Sequence, residues 1–311
     1  MTDMQYYTDI QSYQGTGRTV VTLGKFDSLH RGHQKLIDCV QKYASSKGDY
    51  SIVFAFDMQR DTLLTNEERR ERLKGKVDCL IQCPFTEEIR EMQAEAFIED
   101  ILLRKFHASC IVVGSDFRFG YQRRGNAAML AQFADRYGYH LEIVDKAVYS
   151  GREISSTYIR EALAAGDVEL AGELLGYPYY MSGKVEYGRQ LGRKLGFPTM
   201  NVAPENRKIV PKYGVYICRI LVDGVPFEGI GNVGTKPTVT DDLRVLNEVH
   251  AFDFHGDAYG KKVIVEFCKF ARPERKFASI SQLKEQVEWD IECAKQYFNR
   301  DSLVSAAECR P

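Results

Sequence analysis

The chain reads as an α/β domain on a Rossmann-like, doubly wound parallel sheet, followed by a small antiparallel barrel or sandwich with a C-terminal helix. Three observations predict this. Between Thr19 and about Val144, short β-branched or aromatic runs alternate with helical patterns. After Gly176-Tyr177-Pro178, Gly and Pro recur and strand-like runs dominate. The chain then closes on a long amphipathic pattern. At 311 residues, 44% hydrophobic and 27% charged, it can bury two substantial cores.

In the first domain the strand pattern falls at residues 19–23, 51–56, 79–82, 109–113 and 141–144. Helices are predicted over 34–43, 66–73, 94–105 and 126–137, where apolar residues recur three and four apart. Such alternation places ligands at the carboxyl ends of the strands. Two short helical stretches follow Tyr158, through Leu163 and Leu175, and the break at Gly176-Tyr177-Pro178 sets domain limits at 15–178 and 179–305. The later strand-like runs, 213–222, 227–233, 245–254 and 262–270, fit either a barrel or a sandwich. The last helix is capped by Ser279 with Gln282 three residues on. Its stripe of Ile280, Leu283, Val287, Ile291, Ala294 and Phe298 is expected to pack over that sheet.

Composition excludes several classes. Lysine and arginine, 42 residues, nearly balance 43 acidic ones, so the electrostatic footprint of a nucleic-acid binder is missing. Eight cysteines are scattered with no paired Cys or His cluster to complete a zinc site, and read as reduced, mostly buried thiols. Met1 to Gly17 is polar and tyrosine-rich, unlike a secretory signal, and no run approaches ~18 apolar residues. A cytoplasmic protein without a membrane span is expected.

The segment Gly24-Lys25-Phe26-Asp27-Ser28-Leu29-His30-Arg31-Gly32-His33 follows the first strand and opens the first helix, the place for a phosphate-binding turn. Gly24 and Gly32 let backbone approach a nucleotide, the helix N-terminus offers free N–H groups, and His30 and His33 can donate to an α-phosphate. Adenylyl transfer needs little more. An attacking phosphate is already anionic, and the barrier falls by positioning and charge stabilisation. Ile154-Ser155-Ser156-Thr157-Tyr158-Ile159-Arg160 comes after the last strand and offers two hydroxyls and a guanidinium to the β- and γ-phosphates. Each piece alone also has a plain structural reading, with the histidines or serines as helix caps and Arg160 solvated. Val113-Gly114-Ser115-Asp116-Phe117-Arg118-Phe119-Gly120, followed by Arg124-Gly125-Asn126, suits either a cradle for a flat heterocycle or an ordinary buried turn.

In the second domain, Gly183-Lys184-Val185, Gly188 and Gly192-Arg193-Lys194-Leu195-Gly196-Phe197-Pro198-Thr199-Met200-Asn201 make a glycine-rich, basic stretch unlike a Walker A loop. It reads as an irregular phosphate-covering loop. Thr199 and Asn201 are hard oxygen donors two residues apart on an extended chain and suit a Mg²⁺ whose other ligands are water and ATP, or else form an Asx or Ser/Thr turn.

The first two segments together resemble the nucleotidyltransferase superfamily that shares its phosphate motif with class I aminoacyl-tRNA synthetases. With the 113–120 segment, and with Asn232-Val233-Gly234-Thr235-Lys236-Pro237-Thr238, Glu248-Val249-His250, Tyr259-Gly260 and Arg272-Pro273-Glu274 in order, the chain resembles the bacterial bifunctional riboflavin kinase and FMN adenylyltransferase family, or FAD synthetase, over roughly residues 18 to 300. The resemblance implies a nucleotidyltransferase domain that adenylates FMN to FAD, releasing pyrophosphate. It also implies a β-barrel riboflavin kinase domain that makes FMN, both steps using ATP and Mg²⁺. The partners are then ATP, riboflavin and FMN, without nucleic acid or membrane. By the same resemblance, Gly24, Phe26, Asp27, Gly32, Ser156 and Thr157 contact nucleotide in the first domain, and Gly183, Lys184, Gly192 and Arg193 in the second. Asp116, Phe117, Phe119, Arg272 and Glu274 contact flavin, and Thr199 and Asn201 hold the metal. His30, His33, Arg160 and Glu248 are catalytic. A primary alcohol is a weak acid, so the kinase step needs a carboxylate to take or steer its proton, and Glu248 is the candidate; by position alone it is an ordinary alternating strand residue.

The family usually carries Asn at Lys25, Gly at Ser28 and Pro-His-Pro where this chain reads Met58-Gln59-Arg60, while Met200 replaces an Ala. The first three departures keep a second reading open, in which a catalytically weakened first domain binds nucleotide or flavin beside an active kinase. A third, a tRNA-binding synthetase-like protein, draws on the His-x-Gly-His turn alone.

Overall fold

A computed structural model describes residues 3–58, 60–188, 192, 195–237 and 243–308. Gln59, Arg193, Lys194, Thr238 and Cys309 lie outside the described residues. The chain divides into two compact units between Ser156 and Thr157.

The first unit holds β1 (Gln5–Tyr7), β2 (Thr19–Gly24), β3 (Tyr50–Asp57), β4 (Cys79–Pro84), β5 (Ala108–Gly114), a small ribbon of β6 (Arg118–Phe119) and β7 (Gly125–Asn126), then β8 (His140–Val144) and a second ribbon of β9 (Val148–Tyr149) and β10 (Arg152–Glu153). Its helices are α1 (Arg31–Lys47), α2 (Asn66–Leu73), α3 (Glu87–Glu91), α4 (Ala94–Ala96), which continues as a π-helix over Phe97–Lys105, and α5 (Ala127–Tyr137). The main sheet is wholly parallel in the order β1-β4-β3-β2-β5-β8. From β2 the chain adds strands to one side through β3 and β4, then to the other through β5 and β8. The order reverses between β2 and β5, so the crevice at their carboxyl ends is the topological switch point where such sheets bind ligands.

Both faces of this sheet are covered, which is why its strands read as nearly continuous apolar runs. Val21, Leu23, Ile52, Phe54, Ile81, Ile111 and Val113 pack on one side with Phe97, Leu102 and Phe106; Val20, Cys110 and Val112 pack on the other against Val40 and Ala44 of α1. One strand escapes the sequence reading. β1 lies in the polar, tyrosine-rich opening, is three residues long, and pairs with Cys79, Leu80 and Ile81. Tyr13 follows it into the core, edge-on to Phe106, which is edge-on in turn to Phe54.

Helix α6 (Ser156–Ala165) begins at the division with Ser156 in the first unit; from Thr157 the second unit continues through α7 (Val168–Leu175), then forms β11 (Tyr180–Glu186), β12 (Met200–Val202), β13 (Gly214–Val222), β14 (Val225–Pro237), β15 (Leu243–Ala251) and β16 (Lys262–Arg272), and ends on α8 (Ile280–Glu308). The six strands close into a barrel, β11-β12-β15-β14-β13-β16, antiparallel at every pairing, which decides between the two expected architectures. The sequence reading made the stretch from Gly183 an irregular loop. Instead Tyr180–Glu186 is a barrel strand paired with β16, and Met200–Val202 is a short strand. Gly183 marks a close backbone approach within it, since a Cβ there would stand 2.0 Å from the Ala203 carbonyl oxygen. Helix α8 packs over the barrel as its pattern predicts, with Val287, Ile291, Ala294 and Phe298 against Ile217, Ile230 and Phe252. Ser279 Oγ accepts from the Gln282 N–H at 3.2 Å. Ile280 drops out of the stripe, because the first turn overhangs the barrel and leaves it 62% exposed.

The seven described cysteines are free thiols, and burial pushes Cys79 and Cys110 up to about 12, so they stay protonated packing groups. Phe106, fully buried between Tyr13 and Phe54, is the test of the first core: Phe106→Ala should cost about 3–5 kcal/mol in urea unfolding of the intact chain, read by CD.

Candidate functional site

At the switch point β2 ends on Gly24, and the chain reaches α1 through a turn in which Phe26 (φ 44°) and Leu29 (φ 45°) adopt left-handed backbone. Bulky residues resist that conformation, so the turn must be held from outside. Phe26 and Leu29 are buried. Arg69 Nε donates to the Phe26 carbonyl at 2.9 Å, the Leu64 N–H to the Asp27 carbonyl at 2.7 Å, and Gln34 Nε2 to the Leu29 carbonyl at 2.8 Å. Arg69 belongs to α2, whose start is fixed by a Thr65–Glu68 capping box.

His30 caps α1. Its Nδ1 accepts from the His33 backbone N–H at 3.2 Å, which assigns the ring proton to Nε2. The two imidazoles stack with centroids 3.8 Å apart, and Phe26 lies 4.8 Å from His33 on centroids. Burial lowers His30 to about 4 against the opposing pull of Asp27. His33 keeps some surface on the cavity but is held well below the ordinary imidazole value, by desolvation first and then by His30 and Arg69. Both rings are neutral at pH 7 and carry N–H dipoles rather than charge. On the other strap, Ser156 Oγ donates to Asp27 Oδ1 at 2.5 Å and lies 3.2 Å from Ser28 Oγ. A hydroxyl has one proton and that of Ser156 goes to the carboxylate, so Ser28 is the donor between the two serines.

A cavity of about 240 Å³ opens over this turn. It brings together Gly24, His30, Gly32, His33, Asp116, Phe117 and Ser156 from the sequence reading. Phe26, Asp27 and Phe119 are buried and do not line it; Phe119 supports Phe117 by stacking at 5.5 Å. Lys25 and Arg60 are exposed and off its lining. Thr157 and Arg160 fall on α6 beyond the division of the chain. Sequence reasoning missed Asp145, Lys146, Ala147 and Glu153. They carry no motif, and their one signal was position just past the last parallel strand.

In the second unit the site follows from strand register. Residues directly paired across antiparallel strands share a face. Glu186 pairs with Asn201, Asn201 with Glu248, and Glu248 with Asn232, making one polar row. The adjacent row, Val185, Val202, Asn247 and Val233, is the buried inner one. Thr199 precedes β12 with the parity of Asn201. Gly188 approaches this row closely, since a Cβ there would stand 2.0 Å from Asn201 Nδ2, and the Phe197 N–H bonds the Gly192 carbonyl at 2.8 Å. Asn232 Nδ2 donates to Glu274 Oε1 at 3.2 Å. Arg272 instead grips the buried Asp290 of α8, Nη2 to Oδ2 at 2.7 Å and Nε to Oδ1 at 3.0 Å, and so fastens the helix to the barrel. Lys184 is exposed on β11. Among the described residues no three His, Cys, Asp or Glu side chains are grouped to hold a metal. The neutral oxygens of Thr199 and Asn201 fit a cation that brings most of its ligands with a nucleotide.

A phosphate-binding turn at a sheet's switch point and a glycine-covered polar row on a barrel define a chain of two nucleotide-handling units. Comparison with known proteins resolves them. A family model described as FAD synthetase matches residues 13–158, and one described as riboflavin kinase matches residues 175–298. A bifunctional riboflavin kinase/FMN adenylyltransferase from Haemophilus influenzae is 38% identical over 291 residues, 90% of this chain and 94% of that protein. One from Buchnera aphidicola is 36% identical over 296 residues, again 90% and 94%. A crystal structure of a protein from Streptococcus pneumoniae named as a macrolide-efflux protein superposes with a TM-score of 0.85 at 28% identity, covering 94% of this chain and 98% of that one. No helix among the described residues is long and apolar enough to cross a membrane. The chain belongs to the bifunctional riboflavin kinase/FMN adenylyltransferase family. Because both halves match, this membership holds over the reading of a kinase with a weakened partner domain.

The lowered imidazoles make stability depend on pH. His30 titrates near 6.5 when unfolded and about 4 when folded, so between these values the unfolded chain binds the extra proton and stability falls as pH drops. Unfolding free energies from urea titrations between pH 7 and 4.5 should fall with a slope approaching about 1.4 kcal/mol per pH unit for each such histidine, and His30→Asn should flatten the dependence.

Proposed function

We propose that the chain phosphorylates riboflavin to FMN with ATP and then adenylates FMN to FAD with a second ATP, releasing pyrophosphate. The observation that supports this most is the presence in one chain of the switch-point cavity and the Asn201–Glu248 row, each inside the matching family segment. Residues 15–178 serve adenylyl transfer, with Ser156, Thr157 and Arg160 assigned to its nucleotide, and 179–305 serve phosphorylation. ATP supply and the absence of a disulfide among the described cysteines suit the cytoplasm. The near balance of charge supplies no reason for a nucleic-acid partner.

In adenylyl transfer a phosphate oxygen of FMN attacks the α-phosphorus of ATP and pyrophosphate leaves. The N-terminus of α1, His30 Nε2–H and His33 stabilise charge on the five-coordinate phosphorus, while Asp116 and Phe117 hold the flavin, with Phe119 stacked behind Phe117. No general base is needed. In the kinase step the ribityl hydroxyl attacks the γ-phosphorus, its proton passes to Glu248, and ADP leaves. Thr199 and Asn201 would hold Mg²⁺ with the nucleotide, and the cation supplies neutralisation of the phosphate oxygens. By the family resemblance Gly183, Lys184, Gly192 and Arg193 are assigned to the nucleotide and Glu274 to the flavin, whereas the guanidinium of Arg272 is taken by Asp290.

Purified chain given riboflavin, ATP and Mg²⁺ should yield FAD and pyrophosphate, separated by chromatography; a product that stops at FMN overturns the bifunctional reading. Glu248→Gln should lower FMN formation at least about 100-fold yet leave adenylation of supplied FMN intact. His33→Ala should lower FAD formation about 100-fold and spare the kinase step, so unchanged adenylation would remove His33 from the mechanism.

A further inference from the structure

The adenylyl cavity has an electrostatic problem. Both its substrates are polyanions, yet among the described lining residues the carboxylates Asp116, Asp145 and Glu153 face a single ammonium, Lys146, and no guanidinium. The stacked histidines add no charge at neutral pH, being neutral there. Arg69 stands behind the turn with its Nε on the Phe26 carbonyl, and Lys25 points to solvent off the lining.

Lys146 is presented with some care. It follows β8 at the base of the β9–β10 hairpin, which is closed at its foot by the Ile154 N–H on the Ala147 carbonyl at 2.8 Å and turned at its tip by Ser150 (φ 47°) and Gly151 (φ 80°). Its Nζ lies 2.6 Å from Glu153 Oε2 and 3.0 Å from Asp116 Oδ2. Glu153 leads to Ser155 and Ser156 on the phosphate side, and Asp116 belongs to the flavin side. The ammonium therefore sits between the two ends of the reaction. Its carboxylate partners are 61% and 67% exposed, and ion pairs in such water-rich surroundings are weak and easily exchanged. A phosphate in the cavity is a better partner, because it is more highly charged and can accept a charge-assisted hydrogen bond.

We propose that Lys146 is a substrate-binding residue for adenylyl transfer. Asp116 and Glu153 hold its ammonium in place in the empty cavity, and it passes to a phosphate oxygen when substrate enters. No bond is made or broken in that exchange. The carboxylates keep the lysine extended over the cavity, and their repulsion disfavours anions that do not engage it. The inference rests on the adenylyl-transfer reading above.

The test is steady-state adenylation of supplied FMN by the full chain and its variants, varying ATP at saturating FMN and FMN at saturating ATP. Lys146→Gln should raise one of the two KM values roughly 10- to 100-fold, the factor lost with one hydrogen bond to a charged group, with a smaller change in kcat. The KM that moves names the source, the triphosphate or the FMN phosphate. Lys146→Arg should restore most of the loss. Riboflavin phosphorylation by the same preparations checks folding. Calorimetric binding of FMN and of inorganic pyrophosphate reads the contact without turnover, so a wild-type chain that makes no FAD but loses binding on Lys146→Gln faults the proposed function and not this residue. Unchanged KM values and unchanged binding of both probes in Lys146→Gln would overturn the proposal, as would a Lys146→Arg chain no better than Lys146→Gln.

Discussion

The hydrogen bond from Arg69 Nε to the Phe26 carbonyl, 2.9 Å long and inside the protein, holds a backbone that would not hold itself. Two non-glycine residues in left-handed conformation within four positions amount to local strain of a few kcal/mol. That strain is sustained because Arg69 is clamped by α2 and because the Asp27 carbonyl accepts from Leu64 as well. With the turn fixed, His30 caps α1, its tautomer follows, and His33 stacks against it. Each of these depends on the one before. The geometry of the turn is thus set by a guanidinium that does not line the cavity.

The second unit reaches its site by a different route. Closing six antiparallel strands into a barrel fixes which residues face each other, and the register alone lays Glu186, Asn201, Glu248 and Asn232 in one row. No strained turn is needed there. The glycine-rich segment only has to cross Asn201 closely, and the absence of a side chain at Gly188 permits it. One unit builds a pocket from the ends of strands, the other from their flanks.

How much of this was legible follows from what each residue's neighbours do. The parallel strands were readable because both faces are buried and the sequence must stay apolar along them; α1, α5 and α8 were readable from periodicity and from caps such as Asn126 and Ser279. β1 was not, since three residues held by backbone pairing to β4 need no pattern of their own. β11 was misread because Gly183 looks like loop chemistry when its real neighbour is the Ala203 carbonyl, distant in sequence. Ser28 and Lys25 looked alike as departures from the family. Only the structure separates them, with Ser28 bonded to Ser156 inside the turn and Lys25 exposed. Lys146 was invisible for a simpler reason: its partners, Asp116 in the turn after β5 and Glu153 at the end of β10, come from segments the sequence cannot place side by side.

The bond between Ser28 and Ser156 joins residues 128 positions apart, and with it the carboxylate of Asp27 is tied to the far end of the first unit. Contacts of such long sequence separation form late, because the loop they close carries its full entropic cost until the intervening strands have docked. During synthesis, β2 and β3 can pair long before residue 156 leaves the ribosome. A nascent chain therefore owns a sheet well before it owns a finished phosphate turn, and the cavity is the last thing the first unit completes.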